Sequence, residues 1–268
     1  LGARSGGLGL LSPDGRTLCV SIYSGGAYNV LPIGADGKLG EVSGIFKDTG
    51  SGPRPEQEAP HAHMMLFDTT GRHVIGTDLG TDRINVFAIE NGKLAPRDRA
   101  QLKPGSGPRH VALHPQGTLL YVINELEGSV ACHGYDPATG HVSEERQRIS
   151  TTPADYTGQK SGAEILIHPS GRFLYASNRK LKSDHPLADS VAAFSIDNAG
   201  KLASIQYWSE GVRFPRAMTM APDGSHLYAL SQKGDTILRL RIDPQTGKLD
   251  QPVVVAKVPT PVCLVLVG

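Results

Sequence analysis

The chain has 268 residues and a formal net charge of +1, so no bulk electrostatic attraction draws it to nucleic acid or to an anionic membrane. No apolar stretch is long enough to cross a bilayer as a helix, and any affinity for an anion must come from a local group of Arg, Lys or His. Cys19, Cys132 and Cys263 are odd in number and widely spaced, which argues against a disulfide framework or a zinc site and for small buried hydrophobes in strands.

The chain opens Leu1-Gly2-Ala3-Arg4, with neither an initiator Met nor an apolar leader core. From residue 12 onward one unit recurs. A turn with Gly reads Ser12-Pro13-Asp14-Gly15, then Asp68-Thr69-Thr70-Gly71, His114-Pro115-Gln116-Gly117, His168-Pro169-Ser170-Gly171 and Ala221-Pro222-Asp223-Gly224. Gly supplies a positive φ in such turns and Pro presets φ. Each turn leads into a β-rich run at residues 17–22, 73–77, 119–123, 173–177 and 226–230. A third strand follows at 27–33, 84–89, 129–135, 190–196 and 236–242, and no segment keeps a helical period. Five copies of a four-stranded unit predict an all-β fold, a β-propeller of four-stranded blades. We expect a single propeller domain over residues 1–268. After Pro259-Thr260-Pro261, residues 262–267 read as one more innermost strand closing a blade begun elsewhere.

The five copies can be compared with one another. Eight residues before each turn glycine lie Gly7, His63, Arg109, Ala163 and Arg216, and seven before it Leu8, Met64, His110, Glu164 and Ala217. Eight residues after it lie Tyr23, Leu79, Glu125, Arg179 and Gln232. Packing alone would keep equivalent positions alike, and charged groups are rarely buried without a partner or a purpose. Stacked blades would bring these side chains to one channel mouth, a cavity suited to an anionic substrate and to acid–base chemistry. His61 and His63, two apart on a strand, point both imidazoles to one face. With a third ligand such as Asp78 or Glu125 they could hold zinc, but Arg109 and Arg179 would repel a cation, so no metal and no cofactor is expected. Arg109 and Arg179 could clamp a carboxylate or phosphate, or Arg179 could pair with Glu125 across blades. Asp78, Asn124 and Asn178 read as turn caps. Residues 180–186 lengthen one loop, read as a solvated surface segment with a basic rim as the alternative. The Gly-rich stretches 49–53 and 105–107 open no helix and so are not phosphate loops. No Gly-x-Ser-x-Gly elbow is present.

At these residues the sequence resembles the lactonase family of seven-bladed propellers. The matching stretches are Glu58-Ala59-Pro60-His61-Ala62-His63, Asp78-Leu79-Gly80-Thr81-Asp82-Arg83, Gly107-Pro108-Arg109-His110, Asn124-Glu125-Leu126, Ala163-Glu164-Ile165 and Ser177-Asn178-Arg179. The resemblance implies seven blades, two of them preceding the five seen here, and a metal-independent site at the channel mouth. It implies hydrolysis of a sugar-acid lactone such as 6-phosphogluconolactone. The alternatives are a carboxy-cis,cis-muconate-type cycloisomerase acting on a polycarboxylate and a non-catalytic binding propeller. The candidate catalytic residues are His63, Arg109, Glu125 and Arg179, with His61, His110, Glu164 and Arg216 as candidate substrate-binding residues. The expected partner is a small anionic substrate, with no nucleic acid and no membrane, for a cytoplasmic monomer or homodimer.

Overall fold

The computed structural model describes residues 9–266; Gly7, Leu8 and Val267 lie outside them. Among the described residues, twenty strands form five four-stranded sheets, each in chain order. The first joins β1 (Gly9–Leu11), β2 (Thr17–Ile22), β3 (Ala27–Pro32) and β4 (Gly44–Lys47), and the second β5 (Ala62–Phe67), β6 (His73–Asp78), β7 (Arg83–Glu90) and β8 (Lys93–Gln101). The third comprises β9 (Pro108–Leu113), β10 (Leu119–Asn124), β11 (Ser129–Asp136) and β12 (His141–Ser150). The fourth holds β13 (Gly162–Ile167), β14 (Phe173–Asn178), β15 (Ser190–Ile196) and β16 (Leu202–Trp208). The fifth holds β17 (Pro215–Met220), β18 (His226–Ser231), β19 (Thr236–Arg241) and β20 (Val253–Lys257). These are propeller-type blades.

The repeat turn works as its sequence requires: Gly15, Gly71, Gly117, Gly171 and Gly224 all have φ between 69° and 75°. The second strands β6, β10 and β14 are buried along their whole length. Such strands have no solvent face, so their middles are apolar while buried polar residues such as His73, Asp78 and Asn178 stand at their ends.

The described residues divide into two compact units at the third sheet. Unit 1 runs to residue 113 and adds 117–120 and 133–144; unit 2 takes 114–116, 121–132 and everything from 145 onward. The core of unit 1 packs the first sheet on the second through Cys19, Tyr28, Val30, Met65, Val74 and Phe87. The core of unit 2 packs the fourth on the fifth through Tyr175, Val191, Met218, Leu227, Leu238 and Leu240. Unit 2 also repeats two hydrogen-bond devices. Tyr121 and Tyr175 donate their hydroxyls to the carbonyls of Gly200 and Gly247, each at 2.8 Å. His114 and His168 pair Nε2 with the carbonyls of the next turn glycines, Gly171 and Gly224.

Two expectations need correction. Residues 261–266 form no strand, because no described strand lies beside them to complete a ladder; Val262 and Val265 are 50% and 72% exposed. Cys263 lies in this segment and is exposed, whereas Cys19 and Cys132 are buried in β2 and β11, and burial pushes the Cys19 thiol up to about 12. No helix among the described residues is long and apolar enough to cross a membrane.

Candidate functional site

In unit 1 the site is built around Tyr23, in a single turn of 3-10 helix after β2. The His61 ring stacks on the Tyr23 ring at 4.5 Å between centroids, and its Nδ1 lies 3.3 Å from the Tyr23 carbonyl. Its Nε2 lies 3.3 Å from the Glu58 carboxylate. The His63 ring meets Tyr23 edge-on at 5.6 Å and His110 at 5.0 Å. Arg109 Nη1 lies 3.0 Å from His110 Nε2. A guanidinium only donates, so in this contact Nε2 is the acceptor. His61, His63, Arg109 and His110 are all more than nine-tenths buried. Four of the proposed residues thus form one cluster.

The two histidines reach Tyr23 by a route that strand alternation did not foresee. His61 precedes β5, and His63 sits where the β5–β6 register slips, between the pairs Ala62↔Asp78 and Met64↔Thr77. Such a β-bulge re-aims the side chain it carries. The same slip recurs at the start of β13, around Ala163 and Glu164, and at the start of β17, around Arg216. The backbone at this position is held from the preceding sheet: Ser21 Oγ donates to the His63 carbonyl at 2.9 Å, and Thr77 Oγ1 to the Arg109 carbonyl at 2.6 Å.

The segment from Asp78 to Arg83 supports the cluster rather than joining it. Asp78 Oδ1 accepts the backbone N–H groups of His61 (2.9 Å) and Thr81 (3.0 Å), fixing the chain just before β5. Gly80 lies so close to that chain that a Cβ would stand 1.8 Å from the Ala59 carbonyl oxygen. Asp82 is cradled by the N–H groups of Gly105 and Gly107, each at 2.7 Å. The Gly-rich stretch therefore does hold an anion, the protein's own carboxylate. Arg83 pairs with the buried Asp48 at 2.8 Å.

In unit 2, Arg179 follows β14 and is 5% exposed. Its Nη2 donates to Glu125 Oε1 at 2.9 Å, to Ser161 Oγ at 2.8 Å and to the Gly162 carbonyl at 3.1 Å. The ion pair considered from sequence is therefore made. Arg179 also lies over the Phe214 ring, 5.6 Å from its centroid. Glu164 hydrogen-bonds through its backbone N–H to Ser177 Oγ, and its carboxylate turns back to the N–H of Ile165. Asn178 bonds Thr151 and Ser190, and Asn124 bonds Ser129, so both work as structural amides.

Sequence reasoning passed over Tyr23 and Phe214. Tyr23 shares its repeat position with Glu125 and Arg179, and that was the available signal. Phe214 carried none: its φ of 52° is a backbone state that bulky side chains avoid.

The family described as "Lactonase, 7-bladed beta-propeller" matches residues 8–266. The chain belongs to that family. It is 32% identical over 243 residues to the 6-phosphogluconolactonase of Bacillus subtilis (strain 168), covering 90% of this chain and 67% of that protein. It is 35% identical over 252 residues to a relative from Arthroderma benhamiae, of which it covers 62%. Among solved structures, the periplasmic gluconolactonase of Pseudomonas aeruginosa superposes with a TM-score of 0.85 at 28% identity, over 94% of this chain and 70% of that one. A protein from Lactobacillus plantarum gives 0.85 at 30% identity, over 92% and 70%. This lactonase-family chain thus spans about two thirds of the length of the curated relatives it matches.

Proposed function

We propose that the protein is a lactonase that opens a sugar-acid lactone, with 6-phosphogluconolactone as the substrate. The observation that carries the reading is the Arg179–Glu125 pair, a buried guanidinium held by two further acceptors against a carboxylate at 2.9 Å. Arg179 is the donor that steadies the oxyanion formed when water adds to the lactone carbonyl. Glu125 takes the proton of that water and returns it to the ring oxygen as the carbon–oxygen bond breaks, leaving a carboxylic acid and a hydroxyl. Lactones are already reactive, so this modest help suffices. Unit 1 by itself carries a second polar group, in which Arg109 can take an anionic oxygen and His61 and His63 are fixed on Tyr23. A phosphorylated substrate does not cross bilayers unaided, which fits a cytoplasmic enzyme.

Glu125→Gln tests the reading, because it keeps the shape and the hydrogen bond to Arg179 and removes the base. The kcat for 6-phosphogluconolactone should fall about 100-fold with thermal stability little changed. Unchanged kcat in a folded variant would remove Glu125 from the chemistry. Turnover of a carboxymuconate instead of any lactone would replace the lactonase reading with the cycloisomerase.

A further inference from the structure

Unit 2 contains a cavity of about 640 Å³, lined by the loop from Lys180 to Asp189, by Ser209, Gly211, Val212 and Arg213, and by Lys233. That is ample room for a sugar-sized ligand. The cavity opens at the ends of the fourth and fifth sheets where β14 ends and β17 begins, the ends that carry Arg179 and Arg216. We propose that it is the subsite for the remote anionic group of the substrate, a phosphate monoester, with Arg213 and Lys233 as its direct ligands. For the identity of the substrate this rests on the lactonase reading.

The charges are distributed unevenly. On the loop, Lys180 Nζ lies 3.8 Å from Asp184, and the Asp189 carboxylate accepts the backbone N–H of Lys180 at 2.6 Å. His185 faces Asp155 at 3.7 Å and stacks near Tyr156. Arg213 and Lys233, by contrast, form no ion pair among the described residues. The lining sets three cations, Lys180, Arg213 and Lys233, against the carboxylates of Asp184 and Asp189, so its balance is positive and favours an anion.

The backbone that carries the two cations is also held in place. The Arg213 backbone N–H donates to Ser231 Oγ at 3.0 Å, and the Lys233 N–H to the Arg213 carbonyl at 3.3 Å. Phe214 joins the subsite to the reacting end. Lys233 Nζ lies 4.0 Å from the centroid of the ring over which Arg179 is placed. Phe214 takes a left-handed backbone conformation although Pro215 follows it, and non-glycine residues in that state are concentrated at ligand sites. One aromatic ring thus positions the oxyanion donor and one phosphate ligand. A six-carbon aldonolactone phosphate likewise carries its carbonyl and its phosphate at opposite ends.

The test is the double variant Arg213→Ala/Lys233→Ala, with kcat/KM measured for 6-phosphogluconolactone and for the unphosphorylated glucono-1,5-lactone. The specificity ratio between the two lactones should fall at least about tenfold, mainly through KM for the phosphorylated one. An unchanged ratio overturns the subsite. Calorimetric titration with inorganic phosphate runs beside it: affinity should drop about tenfold or more in the variant, and equal affinity overturns the proposal. Should the wild-type protein hydrolyse neither lactone, the lactonase reading falls, and the phosphate titration still decides the subsite.

Discussion

Asp78 is a side chain whose chemistry runs against its surroundings. Burial, with the Asp48 carboxylate nearby, raises its pKa above the ordinary carboxylate range despite the two N–H groups on Oδ1. The folded chain therefore holds a proton on Asp78 more readily than the unfolded chain. This contribution favours folding below the unfolded value and is lost as pH rises through the raised one, so the ionised group burdens the fold at neutral pH. Asp78→Asn keeps the acceptor oxygen and removes the charge. Chemical denaturation at pH 7 should show it as stable as the wild type or more so, with a flatter pH dependence on the neutral side of the ordinary carboxylate range. Asp78→Ala, which orphans two backbone donors, should lose about 1–3 kcal/mol. Equal losses in both variants would mean that the negative charge itself is needed. At this scale the sequence was a partial guide. It picked out Arg109, His110, Glu125 and Arg179 because their repeat positions otherwise carry different residue types. It read Asp78 as a turn cap, as the Thr81 N–H on Oδ1 bears out, but it did not reveal that Asp82 holds backbone, since a carboxylate in a motif looks the same whether it meets substrate or N–H groups.

At the scale of elements, strands were legible and registers were not. The turn glycines and apolar runs place β2, β6, β10, β14 and β18 within a residue or so of their observed ends, because turn chemistry is local. A β-bulge depends on how two strands pair, and neither strand announces it alone. The slips at the starts of β5, β13 and β17 are therefore structural findings, and they decide where His63, Glu164 and Arg216 point. The turn after β6 makes this dependence testable. In Gly80→Ala the new methyl meets the Ala59 carbonyl, and the chain carrying Pro60 and His61 must move. Thermal or chemical denaturation should register a loss of about 3 kcal/mol. The residual folded enzyme should show a raised KM as His61 leaves Tyr23. Wild-type stability would mean that the chain around Ala59 yields easily and that Gly80 is dispensable.

For the molecule as a whole, the outermost strands decide how it meets other copies of itself. An outer strand presents unpaired backbone, and charges or Pro along it discourage pairing with a second chain. The second sheet follows this rule with Pro96, Arg97, Asp98 and Arg99 on β8, and the third with Glu144, Glu145, Arg146 and Arg148 on β12. The fifth sheet departs from it. Its outer strand β20 reads Val253-Val254-Val255-Ala256-Lys257, and the three valines are 50%, 51% and 44% exposed. Net charge offers little opposition, at +1 for the whole chain. The protein should therefore self-associate through this edge as concentration rises. Light scattering coupled to size exclusion should show the apparent mass climbing with concentration for the wild type. In Val254→Lys, which puts a charge at the middle of β20, that climb should disappear. The substitution lies on the outer strand, away from Arg179 and Glu125, so it separates association from catalysis. A Val254→Lys protein that associates as the wild type does would show that β20 is not the contact, and attention would pass to the exposed residues Val262, Val265 and Leu266.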